Sequence, residues 1–280
     1  MSSIRWLGED DCHHDAVVGG KAASLSRLAS QHTVPPGFAI AAMPAAEHAI
    51  ADRLAAAITH AYRGLAERCG ATHPAVAVRS SALDEDGSDA SFAGQHDTYL
   101  NIRGVDAVLD AVRRCILSAS SSEALAYRQQ RGLTVDDVQM AVLVQQLVPS
   151  DVSAVVFSAN PVSGSRDEVM INSNWGLGES IVGGSATPDT FVVQKIGLEV
   201  SWRDIARKDR MTIMTDTGTV EGDVPLDLQT ACSLDDSQIR EMAQLALMLE
   251  NTTGYAVDIE CAIARDTLYL LQCRPITTLG

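Results

Sequence analysis

The stretch AVDIECAIARDTLYLLQCRP (residues 256–275) decides how this chain folds and points to what it binds. Two runs rich in β-forming residues, 256–264 and 267–275, flank the turn residues Arg265-Asp266 and read as paired strands. Side chains alternate along a strand, so Asp258 and Glu260 share one face, as do Gln272 and Arg274. Val257, Ile259, Cys261, Leu271 and Cys273 are apolar and read as the core side. Pairing through the short turn brings acid, amide oxygen and guanidinium onto one surface. Two oxygen ligands for Mg2+ beside an arginine for phosphate is what metal–nucleotide chemistry requires. The alternative is a solvated polar face with a cross-strand Glu260–Arg274 ion pair of little worth. The chemical reading is preferred.

Working outward, β-rich runs occupy 140–148, 153–158 and 168–175. Residues 190–195 and 198–205 flank Ile196-Gly197 as a hairpin. Helical spacing marks residues 20–30, one or two helices within 44–69, and further helices over 105–118, 121–130 and 234–249, the last with Asp235 or Asp236 near its start. VPPGF (34–38) breaks the first helix, because its prolines lack N–H donors and extend the residue before them. Helices and strands thus mix in an order with antiparallel pairs, which argues against a doubly wound parallel sheet.

The composition sets bounds. A chain of 280 residues buries a substantial core as one domain or two lobes. A net charge of −15 argues against nucleic acid as a general partner, while leaving room for a local cationic site. Six scattered cysteines without zinc spacing read as reduced thiols of a cytoplasmic protein. No apolar run is long enough to span a bilayer, and no signal pattern opens the chain.

Three more clusters bear on chemistry. Gly19-Gly20-Lys21 opens a helix, whose free N–H groups and dipole suit a phosphate. A glycine turn before a surface lysine is the commoner meaning of such a pattern, and this is no Walker loop. Arg79 follows an apolar strand (75–78) and precedes a loop of small and acidic residues ending in Ser91-Phe92-Ala93-Gly94-Gln95. A nucleotide-covering loop and a solvated hairpin with Arg79 paired to Asp84 or Glu85 fit equally well. Trp175-Gly176-Leu177-Gly178-Glu179, with Gly183-Gly184 and Pro188-Asp189, suggests backbone close to a ligand or a sharp turn.

Taken in order, these segments resemble one family. GGKAASL (19–25), VPPGF (34–38), VRSSALDED (78–86), SFAGQHDTYLN (91–101), VLVQQLV (142–148), NWGLGESIVGG (174–184), PDTF (188–191), DIE (258–260) and LLQCRPIT (270–277) resemble the ATP-binding domain of the pyruvate phosphate dikinase family. Phosphoenolpyruvate synthase and rifampin phosphotransferase share that domain. The resemblance covers nearly the whole chain. It implies an α+β, two-lobed ATP-grasp fold with mixed and antiparallel sheets: one domain over 1–280, a first lobe of about residues 1–140 and a second of about 141–280. ATP and Mg2+ are the implied ligands. Lys21 and Arg79 would bind phosphates, and the loop around Gly94, Gln95 and Thr98 would cover them. Gln145, Gln146 and Leu147 would meet the adenine, partly through backbone atoms. Glu260 and Gln272 would ligate Mg2+, and Arg274 would stabilise charge on the transferring phosphoryl group. Glu179, Asp189 and Lys208 are further candidate contacts.

Two departures shape the functional expectation. The helical part of the first lobe, residues 39–74, looks short for the family. The family's longer enzymes continue into a swivelling domain with a catalytic histidine and then an acceptor-binding domain. None of the seven histidines here has the family's Thr-Ser-His-type setting; His96 reads as a hydrogen-bonding loop residue. The resemblance therefore implies the ATP-binding subunit of a split dikinase-type phosphotransferase. Through a pyrophosphoryl intermediate it would phosphorylate a histidine on a separate partner protein, giving AMP and phosphate. Direct kinase or ligase activity on a small molecule, or a non-catalytic nucleotide-binding subunit, are the alternatives.

Overall fold

The computed structural model describes residues 3–44, 50–83, 98–130 and 138–277. The chain divides into two compact units, Met1–Leu147 and Val148–Gly280. The first holds, in chain order, β1 (Ile4–Trp6), α1 (Asp15–Leu28), β2 (Gly37–Pro44), α2 (Asp52–Cys69), β3 (Val76–Ala82), β4 (Thr98–Ile102), α3 (Val105–Ser118), α4 (Ser122–Gln130) and β5 (Gln139–Gln146). Its sheet runs β1-β2-β5-β3-β4, every neighbour antiparallel. Alternation sends Phe38, Ile40, Val76, Val78, Val142 and Val144 to one face, where α2 and α3 cover them with Ile58, Tyr62, Leu65, Val108 and Val112. The other face of β2, β5 and β3 takes α1. Because β5 pairs within this sheet, the first unit extends beyond the expected lobe boundary at residue 140 to Leu147. Residues 39–44, expected as part of a helical region, are strand.

The second unit holds β6 (Val152–Phe157), β7 (Glu168–Trp175), α5 (Glu179–Val182), β8 (Asp189–Gln194), β9 (Val200–Asp204), β10 (Arg210–Met214), β11 (Thr219–Asp223), α6 (Asp236–Thr253), β12 (Val257–Ala264) and β13 (Thr267–Pro275). Six strands form one sheet in the order β13-β12-β6-β7-β8-β9, and β10 with β11 forms a separate hairpin that the sequence pattern did not announce. The expected α+β class is what the structure shows, but every ladder between described strands is antiparallel, so none of the three sheets is mixed. Asp235 starts α6 with a capping box, accepting from the Gln238 N–H at 2.8 Å while the Gln238 side chain accepts from the Asp235 N–H at 3.0 Å. Ile239, Met242, Ala243, Ala246 and Leu249 of α6 are buried, as are Val156, Ile171, Phe191, Ile259 and Cys261 of the sheet. The opposite face, with Val155, Asn172, Thr190 and Glu260, stays partly exposed.

A β-bulge between Glu260 and Cys261 corrects one expectation. It places Leu270 opposite Cys261 on the buried face. Leu271 packs instead with Val148, Ala262, Ala264 and Tyr269, on the Glu260 side. No described helix is long and apolar enough to cross a membrane.

The helix expected from residue 20 begins at Asp15 and is broken at Gly19, whose φ is +75°. A Cβ there would lie 2.0 Å from the Ser81 carbonyl oxygen. Gly19→Ala should therefore destabilise the first unit by about 2–4 kcal/mol, through left-handed strain and overpacking together. Urea unfolding followed by Trp6 fluorescence checks this; an unchanged midpoint refutes it.

Candidate functional site

In the first unit the break in α1 brings Lys21 to β3. The helix resumes against the strand, with the Ala22 N–H donating to Ser81 Oγ at 3.2 Å. Lys21 Nζ donates to the Ser80 carbonyl oxygen at 3.1 Å. Arg79, one residue earlier and half-buried, stands opposite Leu143 of β5 and Thr98 of β4. Directly opposed residues share a face, so Arg79 and the exposed Thr98 project together on the side that carries α1. Two cations brought to the same strand and the same side of the sheet suit a polyanion. Gly94 and Gln95 lie outside the described residues, as do Asp84, Glu85 and His96.

The end of β5 is committed to its own unit. Gln145 is buried and donates through Nε2 to the Pro35 carbonyl at 3.1 Å. The backbone N–H of Gln146 donates to Pro36 at 2.9 Å and that of Leu147 to Ala75 at 2.9 Å. A purine approaching these residues meets N–H groups that already have acceptors.

In the second unit, β12 and β13 place Asp258 opposite Arg274 and Glu260 opposite Gln272. Arg274 grips Asp258 Oδ2 with two donors, Nε at 2.9 Å and Nη2 at 2.8 Å. The ion pair is thus Asp258–Arg274, not Glu260–Arg274 as the alternative reading supposed. Burial pushes the Asp258 carboxyl up, and the guanidinium opposes that shift. The guanidinium is aimed by a residue two positions before Glu260, a role that alternation alone did not reveal. Among the described residues, no three His, Cys, Asp or Glu side chains are grouped to hold a metal. Glu260 and Gln272, facing each other across the ladder, offer one carboxylate and one amide oxygen. That donor set fits Mg2+, which takes one or two protein ligands and completes its shell with phosphate oxygens and water.

Two other candidates fall elsewhere. Lys208 is fully buried, with Nζ bonded to Asp189 Oδ1 at 2.6 Å and to the Ala206 carbonyl at 3.0 Å. Asp189 also accepts from the Ala206 N–H (3.0 Å) and from the Ser233 N–H (2.8 Å) and hydroxyl (2.7 Å), while Ser173 Oγ lies 2.7 Å from Ser233 Oγ. Since Asp189 stands opposite Ser173, this network occupies the α6 side of the sheet, away from Glu260 and Gln272. Glu179 is exposed at the start of the short α5. Gly176 before it has a packing reason. Gly176 has φ +74°, and a Cβ on it would lie 2.3 Å from the Thr212 carbonyl oxygen. The Leu177 N–H donates to that oxygen at 2.9 Å, and Asn174 Nδ2 donates to Arg210 at 2.9 Å. The segment docks the β10–β11 hairpin.

Residues 44–280 match the family described as pyruvate phosphate dikinase, AMP/ATP-binding domain. The chain is 37% identical to the probable phosphoenolpyruvate synthase of Methanocaldococcus jannaschii, across 100% of its own length and 27% of the relative's. It is 42% identical to the phosphoenolpyruvate synthase of Pyrococcus furiosus, covering 81% of this chain and 29% of that one. It is 41% identical to the rifampicin phosphotransferase of Bacillus subtilis, covering 73% and 24%. The chain thus spans less than a third of the length of these relatives.

The buried Asp189–Lys208 pair yields a stability prediction. Lys208→Met should cost the second unit about 3–5 kcal/mol by leaving a buried carboxylate without its counter-charge. Adding Asp189→Asn should recover part of that loss. Urea titrations followed by Trp175 and Trp202 fluorescence test both; equal midpoints for wild type and Lys208→Met contradict it.

Proposed function

Because this chain belongs to the family of pyruvate phosphate dikinase AMP/ATP-binding domains, we propose that it works as an ATP-grasp, ATP-binding subunit of a split dikinase-type phosphotransferase. It binds Mg-ATP and phosphorylates a histidine on a separate partner protein, leaving AMP and phosphate. The observation that carries the reading is the register of β12 and β13, which sets Glu260 against Gln272 and Arg274 against Asp258 on one face. Lys21 and Arg79 bind phosphate oxygens, with Gly94, Gln95 and Thr98 covering them. Gln145, Gln146 and Leu147 border the adenine. Glu260 and Gln272 hold Mg2+, which neutralises phosphate charge when bound. Arg274, aimed by Asp258, offsets charge developing on the transferring group. Glu179 is kept as a nucleotide contact. Lys208 is not, since its ammonium serves Asp189. The setting is cytoplasmic, in keeping with six cysteines of which none forms a disulfide.

The imidazole nitrogen attacks the β-phosphorus, and the bond from that phosphorus to the oxygen shared with the α-phosphate breaks, releasing AMP. Water then takes the γ-phosphoryl group as phosphate, leaving one phosphoryl group on the histidine. The residues of this chain contribute position and charge, with no covalent step of their own.

Incubation with Mg2+, doubly labelled ATP and a histidine-domain partner should give AMP and a labelled partner histidine. Arg274→Gln should lower turnover about 100-fold or more while ATP binding persists. ADP release with no partner present, or equal loss of binding and turnover in Arg274→Gln, overturns the proposal.

A further inference from the structure

The Glu260 row continues across the second unit's sheet. Gln272 faces Glu260, Glu260 faces Val155, Val155 faces Asn172, and Asn172 faces Thr190. No register shift separates Glu260 from Thr190 along this row. Opposed residues project to the same side, so all five share the partly exposed face, while Val156, Ile171 and Phe191 turn to the α6 side and are buried.

Thr190 Oγ1 donates to Asn172 Oδ1 at 3.0 Å. That bond orients the amide. Its oxygen turns to Thr190, and its NH2 group turns away from β8. Among the described residues, nothing accepts a hydrogen bond from Asn172 Nδ2. A neutral pair of donors is thus held on the face that carries the metal-ligand pair.

The spacing fits one ligand group. Glu260 and Asn172 lie two strands apart, about 10 Å. Across that backbone separation, a metal ion on Glu260 and an N–H···O contact from Asn172 would leave about 3 Å between them. One phosphoryl group fills that gap, bound to the metal through one oxygen and to the amide through another. Val155, small and half-buried, forms the floor between them. Resting on the nucleotide reading above, we propose that Asn172, oriented by Thr190, is a further phosphate-binding residue. Its amide donates to a phosphoryl group that the metal also holds. A Mg2+ held by Glu260 and Gln272 would neutralise the β- and γ-phosphates, so the contact would be with one of those groups, which ATP has and AMP lacks.

Calorimetric titration of the whole chain with Mg-ATP and with AMP tests this. Asn172→Ala should weaken Mg-ATP binding about tenfold, the size expected for one hydrogen bond to a charged group, and leave AMP binding unchanged. Thr190→Val, which removes one hydroxyl and keeps the shape, should weaken ATP in the same direction by less, and it carries the test should Asn172→Ala fail to fold. Asn172→Asp, which sets a carboxylate against phosphate, should weaken ATP more than Asn172→Ala. Unchanged ATP affinity, or equal losses for ATP and AMP, overturns the role of Asn172. Failure of the nucleotide reading looks different, because wild type would then show no magnesium-dependent preference for ATP over AMP. Should wild type show that preference and Glu260→Gln lose it while Asn172→Ala keeps it, only the role of Asn172 falls.

Discussion

The antiparallel register of β12 against β13 is the constraint on which the second unit's chemistry depends. A slip of one residue would send Asp258 and Glu260 toward α6 and bring Ile259 and Cys261 out. Each large apolar side chain moved out of the core forfeits about 1.5–3 kcal/mol, and each carboxylate moved in costs more unless it is paired. The turn adds its own restraint, since Arg265 and Asp266 both have positive φ, as a two-residue hairpin of this twist requires. The bulge after Glu260 lets the rest of β13 change face without disturbing the two functional pairs. Burial of one face thus presents the ligands on the other.

The chain handles its charges in two ways. Asp258 and Arg274 form a pair at the edge of solvent, where a twofold grip fixes the plane of the guanidinium while part of it stays accessible. Asp189 and Lys208 form a pair shut away from water, with backbone and serine donors meeting the carboxylate oxygens that the ammonium leaves. The first arrangement orients a charge for use. The second ties the loops around Ala206 and Ser233 to the start of β8. Each sets an aspartate against a basic side chain, arginine in the first and lysine in the second, and burial and hydrogen-bond partners separate their roles. In a protein carrying −15 overall, an anionic ligand depends on such local placement of cations.

Much of this was legible beforehand because it is local. Period-two alternation located β12, β13 and the polar face they share; helical spacing and the capping pattern located α6. Lys21 and Arg79 could be picked out as cations next to glycine and an apolar strand. Their neighbourhood could not, since Lys21 reaches the strand of Arg79, at Ser80, only through the break at Gly19 and its approach to Ser81. The glycines around Leu177 were visible as a backbone requirement. The reason for Gly176 was not, because Thr212 comes to it from a hairpin 36 residues later in the chain. Lys208 looked like any ligand-binding lysine until Asp189 was found beside it.

The sequence by itself determined β12, β13 and α6, the face on which Asp258, Glu260, Gln272 and Arg274 lie, and the resemblance to an ATP-binding family, because each follows from short-range periodicity or the order of motifs. The tertiary structure decided which acid holds Arg274, that Lys208 is buried away from the metal-ligand pair, and that Asn172 extends the Glu260 row. Those facts depend on strand register, on a bulge and on the desolvation of individual charges. Such quantities exist only once distant segments have packed together.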